Sequence, residues 1–238
     1  MARRPRLTLV GVPQHVIQRG NNRQATLFAD EDYRLFLAYL GKATRQHDCS
    51  VHACVLMTNR VHLLLTPNRP DAVSRTLQEV GRRYVQYVSF QYRRSGTLWE
   101  GRFKASLVDA QQYFLACCRY IELNPVRSGI AKAPEDYAWS SYRHYALGQE
   151  SRLLSAYAEY QAPGTTETER QSAYRALFGS RVDETGFDEI RDSVNGGWPL
   201  GSERFKDEIE AALERAARPP QRGRPRKSKR LGADSAEM

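Results

Sequence analysis

No stretch of this chain stays apolar for the roughly 20 residues that a membrane-spanning helix needs. The opening MARRPR is charged but has no apolar segment behind it, which is not the pattern of a secretory signal. Cysteine is scarce. Cys49, Cys54, Cys117 and Cys118 show no CxxC spacing, which argues against a disulfide framework or a zinc site and fits a reducing cytosol. No glycine-rich phosphate loop is present, so a reaction driven by nucleotide hydrolysis is not expected. No internal repeat is visible.

Positive charge is not scarce, and it is placed unevenly. The 238 residues carry a net charge of +9. Arg3, Arg4 and Arg6 account for +3, and residues 218–238 hold seven Lys or Arg against Asp234 and Glu237, for +5. About +1 is left for everything between. Cationic ends on a nearly neutral body suit a polyanion, and nucleic acid is the partner expected. With 41% hydrophobic and 26% charged residues, the body reads as a soluble globular domain plus an appendage.

Along the chain, QHVIQR (14–19) reads as a strand before a Gly20-Asn21-Asn22 turn flanked by Arg19 and Arg23, which can reach phosphates. A helix is expected from Asp30 to about residue 46, with Tyr33, Phe36, Leu37 and Leu40 as its apolar stripe. Residues 50–57 and 61–66 read as two central strands, apolar on most positions. In the second, His62 and Leu64 face one way, with Arg60 on their side if the strand reaches back to it. A helix over 72–93 follows, then a strand over 98–108 that begins near Trp99, Arg102 and Lys104. Trp99 either stacks a base or packs on the core. This order predicts an α+β, ferredoxin-like antiparallel sheet with helices on one face.

Asp109–Gly129, DAQQYFLACCRYIELNPVRSG, reads as one helix, capped by Asp109 with Gln112 in a capping box and closed at Asn124-Pro125. Ala110, Phe114, Cys117 and Ile121 form its buried stripe. Tyr120 and Asn124, four residues apart, stack one turn apart on a neighbouring stripe. Two readings fit this pair: a packed tyrosine with a helix-ending asparagine, or a nucleophilic phenol beside an amide oxygen that can bind a metal. His62 likewise reads as a core histidine or as a ligand.

Taken together, MTN-x-VHLLL (57–65) and RYIELNPVRSG (119–129) resemble the single-tyrosine HUH transposases, an IS200-like superfamily, and within them the REP-associated tyrosine transposases. The resemblance implies a nuclease and strand transferase that cleaves and rejoins single-stranded hairpin DNA through a 5′-phosphotyrosine. It implies Tyr120 as nucleophile, Mg²⁺ or Mn²⁺ as cofactor, and His62 and Asn124 as metal ligands. It also implies a bacterial, cytoplasmic, nucleoid-associated protein, monomeric or homodimeric. Arg127 is a further candidate for DNA contact. One departure stands out. The family carries two histidines around one hydrophobic residue, and here the first position is Arg60, which has no lone pair to give a metal. Three outcomes are open: a metal held by His62, Asn124 and another donor such as Glu100; Arg60 gripping the scissile phosphate in the cation's place; or a DNA-binding protein without catalysis. A ferredoxin-like RNA-binding module is a weaker fourth reading, because His52, His62 and Leu64 make a poor stacking platform.

The expected organisation is a transposase domain over 1–149, a helical extension over 150–217, interrupted at 162–164 and 195–197, and a disordered basic tail over 218–238. RGRPRK within that tail resembles an AT-hook, so Arg222, Arg224, Arg226 and Lys227 are expected to contact DNA.

Overall fold

A computed structural model describes residues 5–179 and 184–220. Its centre is a four-stranded antiparallel sheet in the order β2-β3-β1-β4, built from β1 (Gln14–Arg19), β2 (Cys49–Met57), β3 (Arg60–Pro67) and β4 (Lys104–Leu107). Helix α1 (Asp30–His47) joins β1 to β2, and α2 (Ala72–Gln91) joins β3 to β4. This is the ferredoxin-like α+β core expected from the pattern. Val16, Leu56, Val61, Leu63 and Leu65 point from the sheet toward α1 and α2, where they meet Phe36, Leu40, Val80 and Tyr84. The period-2 alternation of the strands decides which residues reach that core and which reach the other face.

The opposite face is covered by α3 (Ala110–Glu122), the short α4 (Asn124–Arg127) and the C-terminal helices. These are α5 (Tyr142–Leu147), α6 (Ala158–Gln161), α7 (Glu167–Gly179) and α8 (Glu184–Gly196); α9 (Glu203–Leu213) packs apart from them, its Ile209 meeting Leu7 and Leu107. Ala53, Val55 and Leu64 meet Phe114, Cys117, Cys118 and Ile121 of α3 here. Glu122, fully buried, ties α3 to its neighbours: Ser141 and Tyr174 both hydrogen-bond its carboxyl. Ser202 caps α9 as a side-chain acceptor for Phe205 N at 3.1 Å. No described helix is long and apolar enough to cross a membrane.

Two local expectations are corrected. The strand over 98–108 is only Lys104–Leu107. Upstream of it Gly101, at φ +83°, turns the chain where a strand residue cannot. Asp109 does stand at the N-cap, but its side chain makes no capping bond. Its carboxylate instead accepts from Ser202 Oγ at 3.3 Å, and the capping box with Gln112 does not form. The helix closes where Pro125 demands it, and α4 follows after Leu123.

Candidate active site

The site lies between the sheet and α3, where strand register brings distant residues together. β1 pairs with β3 so that His15 faces Leu64, Ile17 faces His62 and Arg19 faces Arg60. His15 and His62 are therefore diagonal neighbours on one face. Their rings stack at a centroid distance of 5.4 Å, with His15 Nε2 3.1 Å from His62 Nδ1. Both are buried. Burial holds the His15 imidazole down to about 3, and burial followed by the charges of His15, Arg60 and Arg127 holds His62 well below the usual histidine range. The pair is neutral at physiological pH. In the tautomer where His62 Nδ1–H donates to His15, His62 Nε2 keeps its lone pair, and no protein group bonds that atom.

Tyr120 of α3 sits over this pair, 4% exposed, with its ring edge-on to His15 (5.6 Å) and His62 (6.1 Å). Phe187 of α8 closes the other side at 5.3 Å. The Arg127 guanidinium lies 5.4 Å from the Tyr120 ring centre and 4.9 Å from that of Phe187. Burial raises the Tyr120 phenol above its ordinary value, and Arg127, Arg60 and Arg191 pull it back by favouring the phenolate. Asn124 is buried one turn on. Its Nδ2 donates to the Tyr120 carbonyl at 2.8 Å, which leaves Oδ1 as its acceptor.

Two cavities open on Tyr120. One, of about 330 Å³, is lined by Arg19, Arg60, His62, Lys104, Tyr120 and Arg191. The other, of about 460 Å³, is lined by Arg60, Tyr120, Asn124, Arg127, Ser128 and Arg191. Arg60 is fixed between them. Its Nε donates to Met57 Sδ at 3.3 Å and its Nη2 to Ser128 Oγ at 2.8 Å.

Residues 9–124 match the family model described as transposase IS200-like. Through this stretch the chain is similar to IS200-like transposases. A solved structure described as a REP-associated tyrosine transposase bound to a REP hairpin shares the fold, at 18% identity and a TM-score of 0.55, over 66% of this chain and 93% of that one. A candidate transposase from Deinococcus radiodurans is similar at 24% identity and a TM-score of 0.36, over 48% of this chain and 91% of that one. No curated protein matches the chain.

Of the residues that the sequence pointed to, the fold gathers Tyr120, His62, Asn124, Arg60 and Arg127 around one site. Arg19 and Arg102 line the same cavity, and Arg19 pairs with Glu100 at 2.5 Å. Arg23 lies apart, in the 3-10 turn Asn21–Arg23. Trp99 packs against Tyr84 at 6.0 Å and borders a separate apolar groove of about 640 Å³. Arg222, Arg224, Arg226 and Lys227 lie outside the described residues. Three site residues escaped the sequence reading. His15 belonged to a strand already read as such, but only the β1–β3 register reveals its partner. Phe187 and Arg191 arrive on α8, more than 60 positions from Tyr120, with no local motif to mark them.

The resemblance implies a divalent metal ion, so the donor set matters. A divalent Mg²⁺ or Mn²⁺ wants about six hard donors, usually with one or two carboxylates. The site offers His62 Nε2 and Asn124 Oδ1, both neutral. Of the carboxylates that line the two cavities, Glu100 is paired with Arg19 and Glu184 with Arg127 at 3.5 Å, and among the described residues no three His, Cys, Asp or Glu side chains converge. Three guanidinium groups surround the position. At about 5 Å and an effective dielectric of about 20, each opposes a divalent ion by several kcal/mol. The residues present do not fit such a cation.

Proposed function

We propose that this protein cleaves and rejoins single-stranded DNA beside a hairpin, with Tyr120 as the nucleophile and a 5′-phosphotyrosine as the intermediate. The observation that carries this reading is the setting of Tyr120: a buried phenol opening on two cavities, where Arg127, Arg60 and Arg191 offset part of the upward push of burial. A phenol of ordinary pKa near 10 is a poor nucleophile at neutral pH, and cations beside it are the usual remedy. A neighbour of the same fold was captured on a REP hairpin, which supports a hairpin partner. Arg19, Arg102 and Arg127 are assigned to the DNA strand at the site, and Arg23 and the 218–238 tail to phosphates away from it, while Trp99, packed on Tyr84, is not assigned to the DNA. The transposase domain spans 1–149, and the 150–217 extension completes its cavity through Phe187 and Arg191. On this reading the protein works with DNA in a bacterial cytoplasm.

The decisive experiment uses single-stranded hairpins taken from the DNA flanking the gene, labelled at the 3′ end because a 5′-phosphotyrosine retains the downstream fragment. A covalent protein–DNA band is expected, and Tyr120→Phe should abolish it while leaving hairpin binding intact. A second reading, a hairpin-binding protein without catalysis, is favoured by Arg60 at the first histidine position. Tight binding with no covalent band would establish it.

A further inference from the structure

We propose that the Arg60 guanidinium, supported by Arg127, takes the place of the divalent cation, so that strand cleavage by Tyr120 proceeds without metal. The proposal rests on the Tyr120 reading above and adds to it the identity of the electrophilic group.

Four observations converge on Arg60. It lies on the same strand face as His62, two residues before it, and borders both cavities that open on Tyr120. Its side chain is held at two points, by Met57 Sδ and Ser128 Oγ. Both anchors are neutral, and no carboxylate of the described residues pairs with it, so its charge is not cancelled within the protein. Nη1 and the second Nη2 proton are left over. A planar guanidinium with donors on adjacent nitrogens matches two phosphate oxygens, where a lysine would offer a point charge. By contrast, Arg19 pairs with Glu100, Arg191 with Asp188 at 2.7 Å and Arg127 with Glu184 at 3.5 Å.

A phosphodiester carries one negative charge, and more builds on its non-bridging oxygens as the attack proceeds. A cation fixed beforehand in the cavity wall stabilises that charge without reorganising, which is the service a bound metal renders elsewhere. Arg127, against the Tyr120 ring, stabilises the phenolate and lies on the side of the second cavity. In the step itself the Tyr120 Oη–P bond forms as the P–O3′ bond breaks. The phenolic proton passes to cavity water, and the departing 3′-oxygen takes a proton from the same water. The exchange is balanced and needs no oxidant, reductant or nucleotide. The reverse step joins strands by the same route.

The test measures covalent-band formation on the 3′-labelled hairpins in EDTA, Mg²⁺ or Mn²⁺, together with Mn²⁺ uptake by electron paramagnetic resonance. The wild-type rate should change less than about twofold between EDTA and Mn²⁺, and the protein should leave the free Mn²⁺ signal unaltered. Arg60→Ala should lower the rate about 100-fold or more, the scale of removing one preorganised charge-stabilising group. Arg60→Lys, a milder change to the fold, should lower it at least about tenfold, because the bidentate grip is lost. Arg60→His should bind Mn²⁺ and become dependent on it. A wild-type band that vanishes in EDTA and returns with Mn²⁺ overturns the proposal while leaving Tyr120 as the nucleophile. Hairpin binding with no band in any arm, Arg60→His with Mn²⁺ included, overturns both.

Discussion

His15 Nε2 lies 3.1 Å from His62 Nδ1, across the two central strands and beneath Tyr120. The contact fixes the orientation of the His62 ring, since one nitrogen of each imidazole is committed to the other. His15→Ala therefore both opens a cavity and strands the His62 Nδ1. We expect a loss of roughly 2–4 kcal/mol in urea unfolding and a slower covalent step at temperatures where the variant remains folded. A His15→Ala protein with unchanged stability would mean that the pair is not formed in solution.

The same pair predicts acid sensitivity. Both histidines titrate in the folded state below their ordinary value of 6.5, His15 at about 3. Their contribution to stability is complete above pH 6.5 and is lost as pH falls toward the folded values, at up to about 1.4 kcal/mol per pH unit for each. Unfolding free energies measured from neutral pH down to about 5 should fall, and more gently in His15→Ala.

Glu122 acts in the opposite direction. Burial pushes its carboxyl up from 4.5 to about 8, with Ser141 and Tyr174 partly offsetting this. Ser141 Oγ donates to one Glu122 carboxyl oxygen and Tyr174 Oη to the other. Its contribution is complete below pH 4.5 and is lost as pH rises to about 8. Glutamine mimics the neutral acid, so Glu122→Gln should be more stable than wild type near pH 8 and should flatten the alkaline limb. An unchanged limb, measured by chemical unfolding, would show that the carboxyl is not buried neutral.

Arg191 reaches the cavity from the extension. Arg191→Glu should weaken hairpin binding at all sequences and reduce the slope of log affinity against log salt by about one or more. Fluorescence anisotropy over a salt series reads this directly, and an unaltered slope would remove Arg191 from the DNA path.

Removing residues 221–238 takes away Arg222, Arg224, Arg226, Lys227, Lys229 and Arg230. Hairpin affinity should fall steeply at low salt and the salt slope should flatten. The covalent step at saturating DNA should be preserved, as a quenched-flow measurement on the truncated chain would show.

Much of the architecture followed from local signals. A short run before a Gly-Asn-Asn turn marked β1, runs apolar on most positions marked β2 and β3, helical stripes marked α1 and α2, and Asn124-Pro125 marked the end of the Tyr120 helix. Strand β4 was overextended because Leu98–Phe103 has strand-like composition but turns at Gly101. The Asp109 side chain was claimed by Ser202, a residue 93 positions away. Tyr120, Asn124 and His62 were legible because each sits in a short motif whose spacing carries its geometry.

By itself, the sequence determined the alternation that turns Arg60 and His62 to one face and the helical spacing that puts Tyr120 one turn from Asn124. It also determined that a permanent cation, Arg60, stands two residues before His62 on the same strand face. Only the tertiary structure decided that His15 is the partner of His62, that Arg127 lies against the Tyr120 ring, and that α8 brings Phe187 and Arg191 to the cavity. The physical reason is range. Backbone periodicity acts over a few residues and is written in them, whereas strand register and helix docking depend on how whole faces bury together.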